Sequence, residues 1–190
     1  MNAPSRSVLI ARRHPKVRVP VADVRRLVAT LDAGFRPVPA DIAHLLPSAR
    51  ARARAALRTP VGEAAGSPIP PGEVSLAFLT DAALATLHGQ FLDDPSVTDV
   101  ITFEGDSLAG TAGEVCVSVD AAARQGGATG LPFAEELTLY VVHGLLHLAG
   151  YDDLSPARRR RMRVAERRAL DLLRSADAVP AFQLRARTRR

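Results

Sequence analysis

The chain has 190 residues, 47% of them apolar, 4% aromatic and none tryptophan, which suits one domain whose core rests on Leu, Val, Ile and Ala. The single cysteine, Cys116, excludes an intramolecular disulfide and a thiolate-built zinc cage, and no apolar run approaches the roughly 20 residues of a membrane span. The net charge is +5, yet residues 1–154 hold 13 Lys/Arg against 17 Asp/Glu and residues 155–190 hold 12 Arg against 3 acids, an asymmetry that points either to a polyanion partner or to a solvated Arg-rich helix face.

Val8–Ala11 and Val17–Val19 read as short strands. Pro20 then opens a helix to about Leu31, with Val24, Leu27, Val28 and Leu31 on one face, and Gly34 ends it. Residues 35–72 carry Pro37 and Pro39 at one end, Pro60 to Gly72 at the other, and an Ala/Arg stretch between them, Ala49–Arg58. That pattern predicts a helical insertion with flexible flanks. Val74–Leu79 is a strand, Thr80 or Asp81 caps a helix to about Phe91, and Thr98–Phe103 is β-rich. Glu114–Val119 alternates, with Val115, Val117 and Val119 on one face and Glu114, Cys116 and Ser118 on the other.

Asp120–Gln125 reads as a helical turn ended by Gly126 and Gly127. Pro132 opens a helix with Glu135 and Glu136 in its first turn, where the helix dipole favours them. From Leu137 to Leu148 it has no Asp, Glu, Lys or Arg, which predicts burial, and Gly150 stops it. Ser155-Pro156 starts a last helix to about Arg174, with an apolar stripe of Met162, Ala165, Ala169, Leu172 and Leu173 and arginines on its other faces. The expected fold class is α/β of the α+β type, a small mixed β-sheet packed against helices around a buried histidine-bearing helix. Residues 1–175 are expected to form a single domain and 176–190 a basic C-terminal tail.

His143 and His147 stand four apart on that helix, so their imidazoles share a face. Two imidazoles in an apolar segment need partners, and one divalent ion supplies both; the plain alternative is a pair of satisfied core histidines. Beyond the Gly150 turn, Asp152 or Asp153 can return toward the same ion. Two imidazoles and a carboxylate leave a coordination position open, as in catalytic zinc sites. The residue after His143 is Gly144, so the helix lacks the glutamate base of HExxH peptidases.

The stretch His143–Asp153, HGLLHLAGYDD, resembles the pattern HGxLHLxGYDH of the YbeY endoribonucleases, bacterial factors of rRNA maturation and ribosome quality control; only the last place departs. Thr98–Phe103 (TDVITF) resembles the family's TNVLSF or TDVLSF strand, and Gly113–Ser118 (GEVCVS) its GDIVIS strand. The likeness covers roughly residues 73–175. It implies a metalloprotein that holds one Zn2+ and cleaves single-stranded RNA in rRNA processing on the ribosome; a cytoplasmic location is expected because the apolar stretch Val8–Ala11 is too short for a secretory signal. His143 and His147 fall on the family's first two histidine ligands, and Asp153 falls where the family has a third histidine.

A carboxylate is a competent zinc ligand, and two histidines with one carboxylate also suit iron. Asp153 is favoured over Asp152. Where the family carries an arginine in the helix before the TDVITF-like strand, this chain has Gly89, so that residue's role does not carry over. Rival readings are a ribosome-associated RNA-binding factor with a structural metal or no activity, and a zinc peptidase-like metallohydrolase. No general base stands out among Asp152, Glu104 and Glu114. Ser118 and Thr102 are expected near the groove, Tyr151 beneath it, His88 on the surface and Cys116 half-buried. Arg158, Arg159, Arg160 and Arg161 are expected to hold RNA phosphates without reading bases.

Overall fold

Short runs of β-branched and aliphatic residues alternate with helices of mixed polarity along the chain, and the computed structural model describes them over residues 6–59, 67–92 and 96–185. In chain order the elements are β1 (Val8–Arg12), β2 (Val17–Arg18), α1 (Val21–Gly34), a 3-10 turn (Pro39–His44), α2 (Pro47–Arg58), β3 (Glu73–Leu79), α3 (Asp81–Leu92), β4 (Val100–Glu104), a second 3-10 turn (Ser107–Ala109), β5 (Thr111–Ser118), α4 (Val119–Thr129), α5 (Phe133–Leu148), α6 (Pro156–Ser175) and β6 (Gln183–Leu184). The main sheet has the order β1-β3-β5-β4. β1, β3 and β5 run parallel, and β4 closes one edge antiparallel to β5. No helix among the described residues is long and apolar enough to cross a membrane.

Central parallel strands are covered on both faces, and β5 is buried along nearly its whole length. Cys116 is therefore buried outright, not half-buried. The alternation expected through Val119 stops one residue earlier. The Ser118 hydroxyl accepts from the Ala121 amide and caps α4, so Val119 is the first helical residue. Gly126 and Gly127 do not end α4, which runs on to Thr129 and stops at Gly130 in the left-handed region, φ 76°. Gly126 is buried inside the helix, where a Cβ would come within 2.9 Å of the Leu131 carbonyl.

The histidine-bearing helix α5 touches α4, α6, β4 and β5. Its close approach to the sheet falls at Gly144, where any Cβ would collide with Val115 of β5. α6 buries Met162, Ala165, Ala169 and Leu173 as its pattern predicts, while Leu172 is only partly covered.

Two segments are more firmly built in than their sequence suggests. α2 turns Ala49, Ala53 and Ala56 inward, and Leu45 before it is buried. The Leu46 amide donates to the Gly150 carbonyl at 2.9 Å, and Ala49 sits against Gly150, whose φ is +97°. The described part of residues 35–72 thus braces the turn after α5. Pro60, Gly62 and Gly66 of the expected flank lie outside the described residues. Residues 176–185 are not a tail. Ala178 and Phe182 are buried, the Phe182 ring lies 5.4 Å from that of Phe78, and β6 pairs antiparallel with β2. Burying a side chain such as Phe182 stabilises by about 1.5–3 kcal/mol. Residues 186–190 of the expected tail lie outside the described residues.

Candidate metal centre

α5 has two unlike long faces. Leu137, Val141, Leu145 and Leu148 enter the core, whereas Glu136, Tyr140, His143 and His147, spaced by four, three and four residues, border a groove or its floor. The groove has two halves. One, about 540 Å³, lies toward α6 and contains His143, Asp153, Glu166, Asp99, Arg159 and Arg163. The other, about 310 Å³, lies toward the edge strand β4 and contains His147, Asp153, His88, Thr102 and Glu104. Asp153 borders both.

The two imidazoles are tethered through their Nδ1 atoms. His143 Nδ1 lies 2.7 Å from Glu166 Oε1, and His147 Nδ1 lies 3.0 Å from the Tyr151 carbonyl oxygen. A carbonyl only accepts, so the His147 hydrogen sits on Nδ1, and the same tautomer suits His143 beside a carboxylate. Both Nε2 atoms then present lone pairs, and they face each other 3.0 Å apart with the rings edge to face. Two lone pairs at that distance repel unless something positive lies between them, a proton or a metal ion. Histidine ligands oriented by oxygen acceptors on the far nitrogen are the usual arrangement around a metal.

The proton affinities of the rings move in opposite directions. Burial pulls His143 down, but the hydrogen bond and charge of Glu166, aided by Asp153 and Asp99, outweigh it and leave the pKa raised. His147 is lowered, by burial first and then by the neighbouring His143, against the pull of Asp153 and the Tyr151 carbonyl. As pH falls, His143 takes up a proton before His147, and metal binding competes with that proton.

The third member is less complete. Among the described residues no group of three His, Cys, Asp or Glu side chains is drawn together closely enough to hold a metal. The Asp153 carboxylate is half-buried and acts on both rings by its charge. Asp152 is buried and already engaged: Oδ2 accepts from Arg158 at 2.8 Å and Oδ1 from the Leu154 amide at 3.2 Å. The donor chemistry, two neutral imidazole nitrogens beside an uncommitted carboxylate, fits a divalent ion such as zinc.

The other expected groove residues separate. Thr102 borders the His147 half, and its Oγ1 is buried without a hydrogen-bond partner. His88, expected on the surface, is half-buried in the same half, with Nδ1 3.1 Å from the Ser96 carbonyl. Ser118 is fully buried as the α4 cap and bonds Asp81, away from the groove. Glu104 borders the β4 half and also the neighbouring cleft that holds Glu114 with Glu73 and Ser75. The Cys116 thiol is pushed up to about 12 by burial and then by Glu114. Tyr151 does pack beneath the site, its hydroxyl donating to Asp41 at 2.9 Å.

Of the four consecutive arginines, Arg158 pairs with Asp152, Arg161 donates to the Ala40 carbonyl and Asp41, Arg159 donates to the Asp153 carbonyl, and Arg160 is exposed. Sequence reasoning missed Glu166. Its signal was available: it is the lone acid between Leu154 and Leu170, placed beside Ala165 at the edge of the α6 apolar stripe. It also missed Glu136, which is 3% exposed and whose pKa is raised by burial, an effect the Tyr140 hydrogen bond opposes and Asp99 reinforces.

Fold and groove together define an α/β protein whose central helix sets a tethered histidine pair into a cleft. Residues 48–174, more than half of the chain, match the family described as Endoribonuclease YbeY. Endoribonuclease YbeY of Chlamydia abortus is 44% identical over 116 residues, which cover 56% of this chain and 73% of that protein. Endoribonuclease YbeY of Kineococcus radiotolerans is 38% identical over 109 residues, covering 52% and 63%. The solution structure of TM1509 from Thermotoga maritima aligns over 96% of this chain and 99% of its own, with a TM-score of 0.47 and 19% identity. The chain belongs to the YbeY endoribonuclease family.

Proposed function

We propose that this chain is a metal-dependent endoribonuclease that hydrolyses phosphodiester bonds of single-stranded RNA in rRNA processing and ribosome maturation, with a divalent ion, zinc by preference, held by His143, His147 and Asp153. The observation that carries the reading is the facing Nε2 pair, 3.0 Å apart, with each ring tethered through Nδ1. RNA as the substrate class follows from the family. The ribosomal target rests on the resemblance of the His143–Asp153 stretch, and a cytoplasmic setting is part of the same proposal.

A bound divalent ion supplies a Lewis acid for a phosphoryl oxygen and lowers the pKa of water. His143 and His147 offer neutral Nε2 donors, while Glu166 and the Tyr151 carbonyl hold the protons at Nδ1 and stop the rings from turning. Asp153 brings negative charge to both donors. Asp152 and Arg158 hold the turn that carries Asp153. Gly144 denies the helix the base that a peptidase would use.

Metal analysis of the wild type and His147→Ala, paired with cleavage of a single-stranded RNA, tests the proposal. Metal in the wild type, and loss of both metal and cleavage in the variant, is the expected result. Equal metal content and equal cleavage in the two proteins would sink it. Metal in the wild type without cleavage under any divalent ion would favour an RNA-binding factor.

A further inference from the structure

Among the described residues, the Lys and Arg side chains that line the groove come from one side. α3, β4 and α5 contain no Lys or Arg, and the β4 half of the groove has none among its lining residues. The α6 half has two, Arg159 and Arg163, next to His143 and Glu166. They stand four apart on α6 and so share a face. Consecutive residues on a helix point around it, so the run Arg158–Arg161 does not share one face. Most of the other arginines on α6 are engaged within the fold: Arg158 by Asp152, Arg161 and Arg168 by Asp41 and nearby carbonyls, Arg174 by Glu135 and Asp171.

Arg163 is exposed and has no hydrogen-bond or ion-pair partner among the described residues. Arg159 gives one nitrogen to the Asp153 carbonyl at 3.3 Å and keeps the rest of its fork free. Acids otherwise line this half: Asp99, Glu136, Asp153 and Glu166. Among the residues described as lining it, the guanidiniums of Arg159 and Arg163 are the cations that a polyanion entering it would meet. Guanidinium forks suit phosphate oxygens.

We propose that Arg159 and Arg163 form the phosphate-holding wall of the groove, so that the RNA backbone flanking the cleaved bond runs along α6 and not along α3. This rests on the endoribonuclease reading above and names the residues that position its substrate.

The test is association of a single-stranded RNA oligonucleotide with the full chain across a salt series, in chelator so that cleavage does not run. Arg163→Ala is compared with Arg160→Ala, which removes another exposed charge of α6 outside the groove lining. Arg163→Ala should reduce the slope of log affinity against log salt by about 0.7 for each phosphate it no longer neutralises, with an unchanged melting temperature, and Arg160→Ala should leave the slope as it is. With metal restored, Arg163→Ala should raise KM and leave kcat alone. Equal effects of the two substitutions, or none from either, would overturn the wall. A wild type that cleaves RNA beside an Arg163→Ala that binds normally also overturns it, with the enzyme reading intact. A selective Arg163→Ala binding defect in a protein that never cleaves supports the wall and removes the enzyme reading instead.

Discussion

His143 and His147 share one face of one helix and differ in what holds them. His143 is held by a carboxylate 23 residues away on another helix, and His147 by a backbone carbonyl four residues on, in the turn that ends its own helix. The charged tether lifts one ring's proton affinity above the ordinary histidine value, and the neutral tether lets burial depress the other. A buried imidazole pair therefore does not titrate as two equal groups. The far-side partner decides which ring keeps the proton, and only one of the two partners can be removed by substitution.

The largest way to break this pairing is to remove the charge that both rings feel. Asp153→Asn should abolish metal retention through dialysis. Asp152→Asn should keep the metal and instead lose about 1 kcal/mol of stability with the Arg158 pair, a partly exposed one. The opposite outcome in metal analysis would move the third ligand to Asp152. Next in size, Glu166→Gln should weaken metal affinity about 10- to 100-fold in a competitive chelator titration. Tyr151→Phe keeps its carbonyl and should leave that affinity nearly unchanged. Equal affinities for Glu166→Gln and the wild type would mean that the charged tether does not serve the site.

The smallest effect is on stability without metal. His143 binds its proton more tightly in the folded chain, so its pairing with Glu166 stabilises fully below pH 6.5, and the gain fades as pH rises through the elevated value. His147 is the reverse: its contribution is present above pH 6.5 and is lost as pH falls through the lowered value. The two slopes oppose each other in the wild type. In chelator, moving from about pH 7.5 to about pH 5.5 should cost Glu166→Gln roughly 2–4 °C more in Tm than the wild type. His147→Ala should change in the other direction. Superimposable profiles for the three proteins would show that the tethers do not divide the proton between the rings.

The histidine pair was legible because spacing on a helix fixes direction, and a turn at Gly150 leaves few residues able to return. The order of strands and helices was legible for a similar reason, since Val- and Ile-rich runs and the caps at Thr80 and Ser155 mark themselves locally. What escaped depends on packing between distant segments. Glu166 belongs to the site only because α6 packs beside α5. Phe182 reads as tail until Phe78 is placed under it. Gly126 reads as a helix stop, although the buried face of α4 needs a residue without a side chain where the Leu131 carbonyl presses on it. Arginines four apart could have been separated from the consecutive run by helical geometry alone, but their engagement with Asp41 and Asp152 could not.

Gly144 has a consequence for what this scaffold can become. The place directly after the first histidine, where a zinc peptidase keeps its proton acceptor, is here the point at which helix and sheet touch backbone to side chain, with Val115 filling the space. A glutamate introduced there would pry α5 from β5 and carry both imidazoles with it. That one exchange toward amide-bond hydrolysis therefore requires Val115 or the helix to give way first, whatever ion the groove carries.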